Sequence, residues 1–215
     1  MDATETTVAA VRDAGPDALA FDLETPPGFE ADPGQFVRLT ATVDGESESR
    51  FYTVSSPNTV GTFEFTVGFD PDEAGPFSEY LRGVEAGDTV TVAGPFGDEY
   101  YEGESRVVVL AGGPGIGPAV AIAERAVGKG DEAAIVYRDD APIHEGRLAD
   151  IAAAGADVFV LTEAEPLTDA VAAALTGADG EQTFIYGFAD FLSDAEIAIE
   201  AAGGDHETAK AENFG

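Results

Sequence analysis

The sequence predicts two units in one chain: an N-terminal antiparallel β-barrel followed by an α/β domain built on a parallel sheet. Three observations carry that prediction. Short β-prone runs broken by Pro, Gly, Asp and Ser fill the first half of the chain. After Tyr100-Tyr101-Glu102-Gly103 the pattern changes to apolar runs alternating with alanine-rich stretches of helical period. The first apolar run of that second half leads straight into a glycine-packed turn and a helix, Arg106 to Ala126. The expected domains are therefore 1–102 and 103–215.

In the first domain, strands are expected at Thr6 to Val11, Leu19 to Leu23, Phe36 to Val43, Arg50 to Ser55, Thr62 to Phe69 and Thr89 to Ala93. Antiparallel strands of this length suit a closed barrel, which removes exposed sheet edges. Between the last two, Phe77 to Leu81 reads as a short helix with Ser78 near its start, where a hydroxyl can cap free N–H groups. In the second domain, Val107 to Leu110 has the length and β-branched content of a strand buried on both faces. Gly112, Gly113, Gly115 and Gly117 then allow a tight turn, and Pro118 fits the first turn of a helix, where a missing N–H is harmless. Ala133 to Tyr137, Val158 to Leu161 and Phe184 to Tyr186 are the further strands, with Ile197 and Ile199 in a last helix. Alternating strand and helix implies a parallel sheet covered on both faces.

Composition limits the function classes. With 42 acidic and 10 basic side chains the net charge is -32, and only Lys129 and Lys210 are lysines. Such a surface repels itself in dilute buffer, whereas at about 1 M salt the Debye length is roughly 3 Å and the repulsion is screened. This balance reads as adaptation to a salty cytoplasm and argues against nucleic acid or anionic membrane as partners. A hydrophobic content of 44% argues against disorder despite the charge. The absence of cysteine excludes disulfides, thiolate-bound zinc and cysteine-ligated iron–sulfur clusters within these residues, so a one-electron carrier must be a separate partner. His144 and His206 show no ligand spacing and are expected to face solvent, and no metal site is assigned. No apolar run approaches bilayer length, and Met1 to Glu5 lacks the basic start of a secretory leader, so the expected location is the cytoplasm.

Two segments carry candidate chemistry. The turn Gly113-x-Gly115-x-x-Pro118 lets backbone approach a pyrophosphate at the positive end of a helix, with proline where the commoner dinucleotide fingerprint has glycine or alanine. A glycine turn made for packing alone would look the same. In Arg50-Phe51-Tyr52-Thr53-Val54-Ser55, alternation puts Arg50, Tyr52 and Val54 on one strand face and Phe51, Thr53 and Ser55 on the other. The arginine can hold a phosphate with its forked donors while the phenol ring covers a flat ligand, and Thr53 can reach a ring's polar edge. A surface strand with a salt-bridged arginine fits the same residues.

Taken in order, Arg50-x-Tyr52-Thr53, Gly75-Pro-Phe-Ser78 ahead of Tyr80-Leu81, Gly94-Pro-Phe-Gly97 and Ala111-Gly-Gly-Pro-Gly-Ile-Gly-Pro118 resemble the motifs of the ferredoxin-NADP reductase superfamily. Pro33-Gly34-Gln35-Phe36-Val37 and Glu212-Asn213-Phe214 extend the likeness over nearly the whole chain. The resemblance implies FAD on the barrel, a nicotinamide dinucleotide on the α/β domain, and hydride passing between the two rings. It implies Arg50 at the flavin pyrophosphate, Tyr52 and Thr53 at the isoalloxazine and Ser78 at the phosphates, with Phe51, Val67, Gly75 and Phe77 among the flavin contacts. Gly112, Gly113, Pro114, Gly115, Ile116, Gly117 and Pro118 would hold the nicotinamide dinucleotide. Phe188 and Phe214 either line the ring-stacking site or pack the domain seam.

The chain also departs from the family pattern. Pro114 stands where many relatives have threonine, and Tyr186, before Gly187, stands where many have cysteine near the nicotinamide. Arg138 suits a 2'-phosphate, whereas Asp139 and Asp140 beside it suit a free ribose hydroxyl. NADP-using relatives usually carry a Ser-Arg pair after the third strand; Thr162-Glu163 occupies that place here and its carboxylate repels a phosphate, which leans the reading to NAD(H). The expected function is a flavin-dependent oxidoreductase exchanging hydride with NAD(P)H and electrons with a separate carrier such as ferredoxin. An electron-transfer subunit, a free flavin or quinone reductase, and a non-catalytic dinucleotide-binding sensor or interaction protein are the alternatives.

Overall fold

The structure, a computed structural model, describes residues 1–69 and 75–215. In the first half β1 (Thr4–Gly15), β2 (Ala18–Glu24), β3 (Phe36–Val43), β4 (Glu46–Thr53), β5 (Thr62–Gly68) and β6 (Thr89–Phe96) form an antiparallel sheet in the order β4-β3-β6-β1-β2-β5. A bridge from Val54 to Phe65 brings the end of β4 against β5, so the two outer strands meet. Leu23, Val37, Leu39, Phe63, Phe65 and Val92 fill the interior. Helix α1 (Pro76–Arg82) buries Phe77 and Leu81 in that same core.

Two local expectations are corrected. Strand β4 begins at Glu46, not Arg50, because Asp44 and Gly45 turn with φ 52° and 87°. An Asp-Gly turn with both φ positive matches strand twist, so β3 and β4 pair as a hairpin from Val43↔Glu46 to Phe36↔Thr53. Ser78 is not a cap: Gly75 holds that position, no side chain caps the helix, and Ser78 lies within its first turn.

The second half contains β7 (Arg106–Gly112), α2 (Ile116–Lys129), β8 (Glu132–Arg138), α3 (Glu145–Ala153), β9 (Asp157–Leu161), α4 (Thr168–Ala174), β10 (Glu181–Gly187), α5 (Ala189–Ala201) and β11 (Lys210–Asn213). Its sheet has the order β11-β10-β7-β8-β9 and every pairing is parallel. Strand β7, at the centre, is buried along its whole length. Val107, Val109 and Ala111 pack with Ile116, Val120 and Leu148 on one face, while Val108 and Leu110 pack with Val171, Phe191 and Ile199 on the other. That alternation follows from the two-residue period of a strand. Strand β11 was not expected, since Lys-Ala-Glu-Asn offers no apolar run; it pairs beside β10 and sets Glu212 opposite Tyr186. Among the described residues no helix is long and apolar enough to cross a membrane.

Candidate active site

An open cleft of about 580 Å³ lies where the barrel meets the C-terminal ends of the parallel strands. Open α/β sheets bind ligands at this end, where helix N-termini and strand-end loops converge. Phe36, Phe51, Tyr52, Thr53, Thr66, Val67 and Ser78 form the barrel wall. Pro114, Gly117, Pro118, Phe188, Glu212, Asn213 and Phe214 form the opposite wall.

On the barrel side, the Tyr52 ring packs against Phe65 at 5.0 Å and Phe77 at 6.4 Å between centroids. Burial pushes its phenol up to about 12, so the ring stays neutral at physiological pH. Thr53 is nearly buried, and its hydroxyl donates to Glu212 at 3.3 Å across the seam between the domains. Burial pushes the Glu212 carboxyl up to about 7, against the Thr53 hydrogen bond, which draws it down. The cleft thus holds a carboxyl able to carry a proton near neutrality, which no apolar pattern in the sequence marked. Phe51, 62% exposed, stands at the mouth with Phe36, their rings 5.5 Å apart.

Arg50 does not reach the cleft wall in this conformation. Its exposed guanidinium donates to the Ser49 carbonyl at 2.8 Å, pairs with Glu48 at 3.4 Å and lies 5.6 Å over the Phe77 ring. Phe77, in the core, lies beneath this arginine, and Gly75 stands at the start of helix α1.

On the other side, Gly113–Gly115 make one tight turn between β7 and α2. Gly113 has φ 53°, with open space where a Cβ would stand, so glycine serves the left-handed turn there rather than packing. Gly115 has a different reason: an added Cβ would sit 2.1 Å from the Tyr186 carbonyl oxygen. At Gly117 a Cβ would press on the Ser55 Cβ at 3.3 Å, so this residue lets the loop lie directly on the barrel. Gly112 and Gly187 both face the Phe191 ring, and Ile116 is buried, so these three serve packing. Pro114, half-buried, and the buried Gly117 and Pro118 line the cleft.

Tyr186 fills the seam beneath the cleft rather than lining it. It is fully buried between Phe184 and Phe214, each 6.4 Å away, and its hydroxyl donates to the Glu99 carbonyl at 3.0 Å. Gly34, at φ 101°, passes so close to that hydroxyl that a Cβ would stand 2.5 Å away. Phe188, 47% exposed, and Phe214 both face the cleft.

At the outer end of the same sheet, Arg138 and Glu163 are partners. The buried Arg138 donates to Asp194 at 2.8 Å, lies 3.5 Å from Glu163 and stacks 5.2 Å over Phe191. The Glu163 N–H donates to Asp140 at 2.9 Å, while the Thr162 N–H and hydroxyl both donate to Glu165. Tyr137 donates to Asp139 at 3.0 Å.

His144 corrects the expectation of a solvent-facing residue, because it is buried at the domain seam, 2.8 Å from the Thr66 hydroxyl. Thr66 donates to Ser55 at 3.0 Å, and Ser55 donates to the buried Glu64 carboxylate at 2.6 Å. Since both hydroxyl protons point toward Glu64, the imidazole Nε2 is left as the donor to Thr66, a role that the neutral Nε2–H tautomer fills. Burial and the nearby Arg147 hold it down at about 4, with Glu64 pulling the other way. Among the described residues no cluster of His, Asp and Glu has metal-binding geometry.

Comparison with known proteins agrees with this geometry. Residues 7–101 match a family model described as the oxidoreductase FAD-binding domain. A probable dihydroorotate dehydrogenase B (NAD(+)) electron transfer subunit of Methanopyrus kandleri is 37% identical over 94 residues, 44% of this chain and 33% of that one. The glycine betaine monooxygenase reductase subunit of Chromohalobacter salexigens is 37% identical over 106 residues, 46% of this chain and 28% of that one. The matches thus span about a third of these relatives' length. A ferredoxin NADP+ reductase from Neisseria gonorrhoeae, solved with bound FAD and NADP, superposes with TM-score 0.82 at 19% identity, covering 100% of both chains. Residues 7–101 are thus similar to an oxidoreductase FAD-binding domain, and the chain as a whole shares the two-domain fold of that ferredoxin NADP+ reductase structure.

Proposed function

We propose that the chain is a flavin-dependent reductase in which the barrel unit, 1–102, holds FAD and the α/β unit, 103–215, holds a nicotinamide dinucleotide, so that hydride passes between their rings in the cleft. The single observation that carries this reading is the cleft itself. The loop and helix start at Pro114, Gly117 and Pro118, after the central strand of a parallel sheet, face an aromatic, hydroxyl-bearing strand of a unit similar to an FAD-binding domain across one open space.

The residues present fit both groups. Tyr52 offers a neutral ring face, Thr53 a hydroxyl, and Ser78 with Val67 the adjoining wall. Arg50 is free to turn its fork to a pyrophosphate. Gly113 and the start of α2 present N–H groups and the positive helix end to a second pyrophosphate. Bound flavin supplies the hydride and one-electron chemistry; the chain's own residues orient the rings and exclude water. Glu212 is placed to hold or release a proton beside them. Phe188 and Phe214 close the nicotinamide side.

NAD(H) is the proposed dinucleotide, because Arg138 is already neutralised by Glu163 and Asp194. The acceptor is a separate one-electron carrier such as a ferredoxin, or a larger enzyme served by this chain. The reductase and electron-transfer subunits among its relatives support a separate partner, and a chain without cysteine has no thiolates for a cluster of its own. The test is an absorption spectrum of the protein purified in high salt, followed by addition of NADH. A yellow protein that bleaches is expected; a yellow protein that stays yellow supports a non-catalytic binding module and overturns the proposal.

A further inference from the structure

We infer that the Arg147–Glu64 ion pair is a positioning device: it fixes the glycine loop over the Tyr52–Thr53 strand and so sets the ring-to-ring geometry without touching either cofactor. The inference rests on the reading of the cleft as a flavin–nicotinamide site. Arg147, on α3, uses its whole guanidinium. Nε and Nη2 hold both oxygens of Glu124 on α2 at 2.7 Å, Nη1 donates to Glu64 on β5 at 2.8 Å, and Nη2 also donates to the Ser55 carbonyl at 2.7 Å. One side chain therefore ties two helices of the α/β unit to two segments of the barrel.

Glu64 is the other half. Only 5% exposed, it accepts from Arg147, from Ser55 and from Arg12, which is itself held by Asp22. A carboxylate buried this deeply persists only when every oxygen is partnered, and loss of one partner leaves an uncompensated charge. The next atoms in the chain reach the cleft. Ser55 and Thr66 are the residues on which Gly117 rests, at 3.3 and 3.5 Å from an ideal Cβ, and Thr66 and Gly117 both line the cleft wall. A shift of Arg147 thus moves the loop relative to the barrel strand, and misplacement of reacting groups by 1 Å can cost about 10²-fold in rate.

The experiment compares Arg147→Lys, Arg147→Met and Glu64→Gln with the wild type, each loaded with flavin. Three quantities are measured: flavin content, the NADH concentration giving half-maximal bleaching, and the limiting bleaching rate by rapid mixing. Flavin content and half-maximal NADH should stay within about twofold while the limiting rate falls about 10- to 100-fold for Arg147→Met. Arg147→Lys should lose less, because an ammonium keeps the charge but not the fork. Hydrogen exchange, read without activity, should rise at 55–66 and 113–118 and stay unchanged at β7. If Arg147→Met does not fold, Arg147→Lys and Glu64→Gln carry the test. A bleaching wild type whose variants bleach equally fast overturns the positioning role alone. A flavin-loaded wild type that NADH does not bleach overturns the reading of the cleft, and with it the rate claim.

Discussion

The cleft at the domain seam and the outer end of the parallel sheet are built on opposite electrostatic plans. The inner end, between Tyr52 and Pro118, is walled by aromatic rings, hydroxyls and exposed backbone, with Glu212 as the titratable side chain among the wall residues whose carboxyl burial raises. The outer end, beyond β8 and β9, sets Glu163 and Asp194 against Arg138, with Asp139, Asp140 and Glu165 bonded to the neighbouring Tyr137, Glu163 and Thr162. Geometry therefore decides what happens at the inner end, where rings must meet. On the proposed function, charge would decide which dinucleotide is admitted at the outer one. Shape changes should damage the first and charge changes the second.

The largest effect is expected from shape. Gly115→Ala places a methyl 2.1 Å from the Tyr186 carbonyl oxygen, part of a buried strand that cannot swing aside. Overpacking of this kind costs about 1–3 kcal/mol, or about 2–4 °C in Tm per kcal/mol for a chain this long. The displaced loop should cost NADH-driven bleaching about 10²-fold. Gly113→Ala, which meets no atom within 4 Å but keeps φ 53°, should cost only the left-handed backbone strain of about 1–2 kcal/mol. If Gly115→Ala matches wild type in both Tm and bleaching, the inner end is not shape-limited.

Next is Arg50→Ala. A lost charged hydrogen-bond partner is worth about 1.5–3 kcal/mol, so flavin affinity should fall about tenfold or more. Because the guanidinium is exposed, the apo protein's Tm should stay near wild type. Equal flavin retention after dialysis removes Arg50 from the site.

Sequence reasoning reached the inner end more fully than the outer. Motif order was enough to bring Tyr52, Thr53, Ser78, Pro114, Gly117, Pro118, Phe188 and Phe214 together as cleft-lining residues, although strand alternation had set Tyr52 and Thr53 on opposite faces. Glu212 was visible only as part of a closing motif, since its strand is too short and polar to announce itself and its place depends on pairing with β10. The seam network was not legible at all. Glu64 is far in sequence from His144 and Arg147, and a lone histidine or a charged residue on a strand reads as solvent-facing until folding buries it. At the outer end, Arg138 and Glu163 were set against each other as rival signals; the structure makes them an ion pair, because β8 and β9 are neighbours.

That pair gives the third prediction. Glu163→Arg removes one of the two carboxylates neutralising Arg138 and adds a second fork for a 2'-phosphate. The ratio of catalytic efficiencies, NADPH over NADH, should rise about tenfold at low salt, one charge-assisted contact's worth, and less at molar salt. Glu163→Gln, which only frees Arg138, should move the same ratio in the same direction by less. A ratio unmoved by both substitutions would place the adenosine elsewhere than beside Arg138.

The smallest effect is a dependence of stability on pH, and it separates two groups with opposite signs. Glu212 has its carboxyl raised from 4.5 to about 7, mainly by burial. A raised folded-state value means that the stability it contributes is fully present below 4.5 and is lost as pH rises through 7. Glu212→Gln keeps an acceptor for Thr53 but does not ionise, so its Tm relative to wild type should climb between pH 4.5 and 8. After discounting for the solvent-facing side of the cleft, the gain should be about 1 kcal/mol, or 2–4 °C. His144 works the other way: held down from 6.5 to about 4 by burial and Arg147, it withdraws stability as pH falls from 6.5 toward 4. His144→Gln should therefore gain on wild type only on the acid side. Melting curves of both variants across that range, at one fixed high salt, would read the two slopes apart. If Glu212→Gln runs parallel to wild type at every pH, the carboxyl in the cleft is not held protonated, and the inner end has no proton to offer near neutrality.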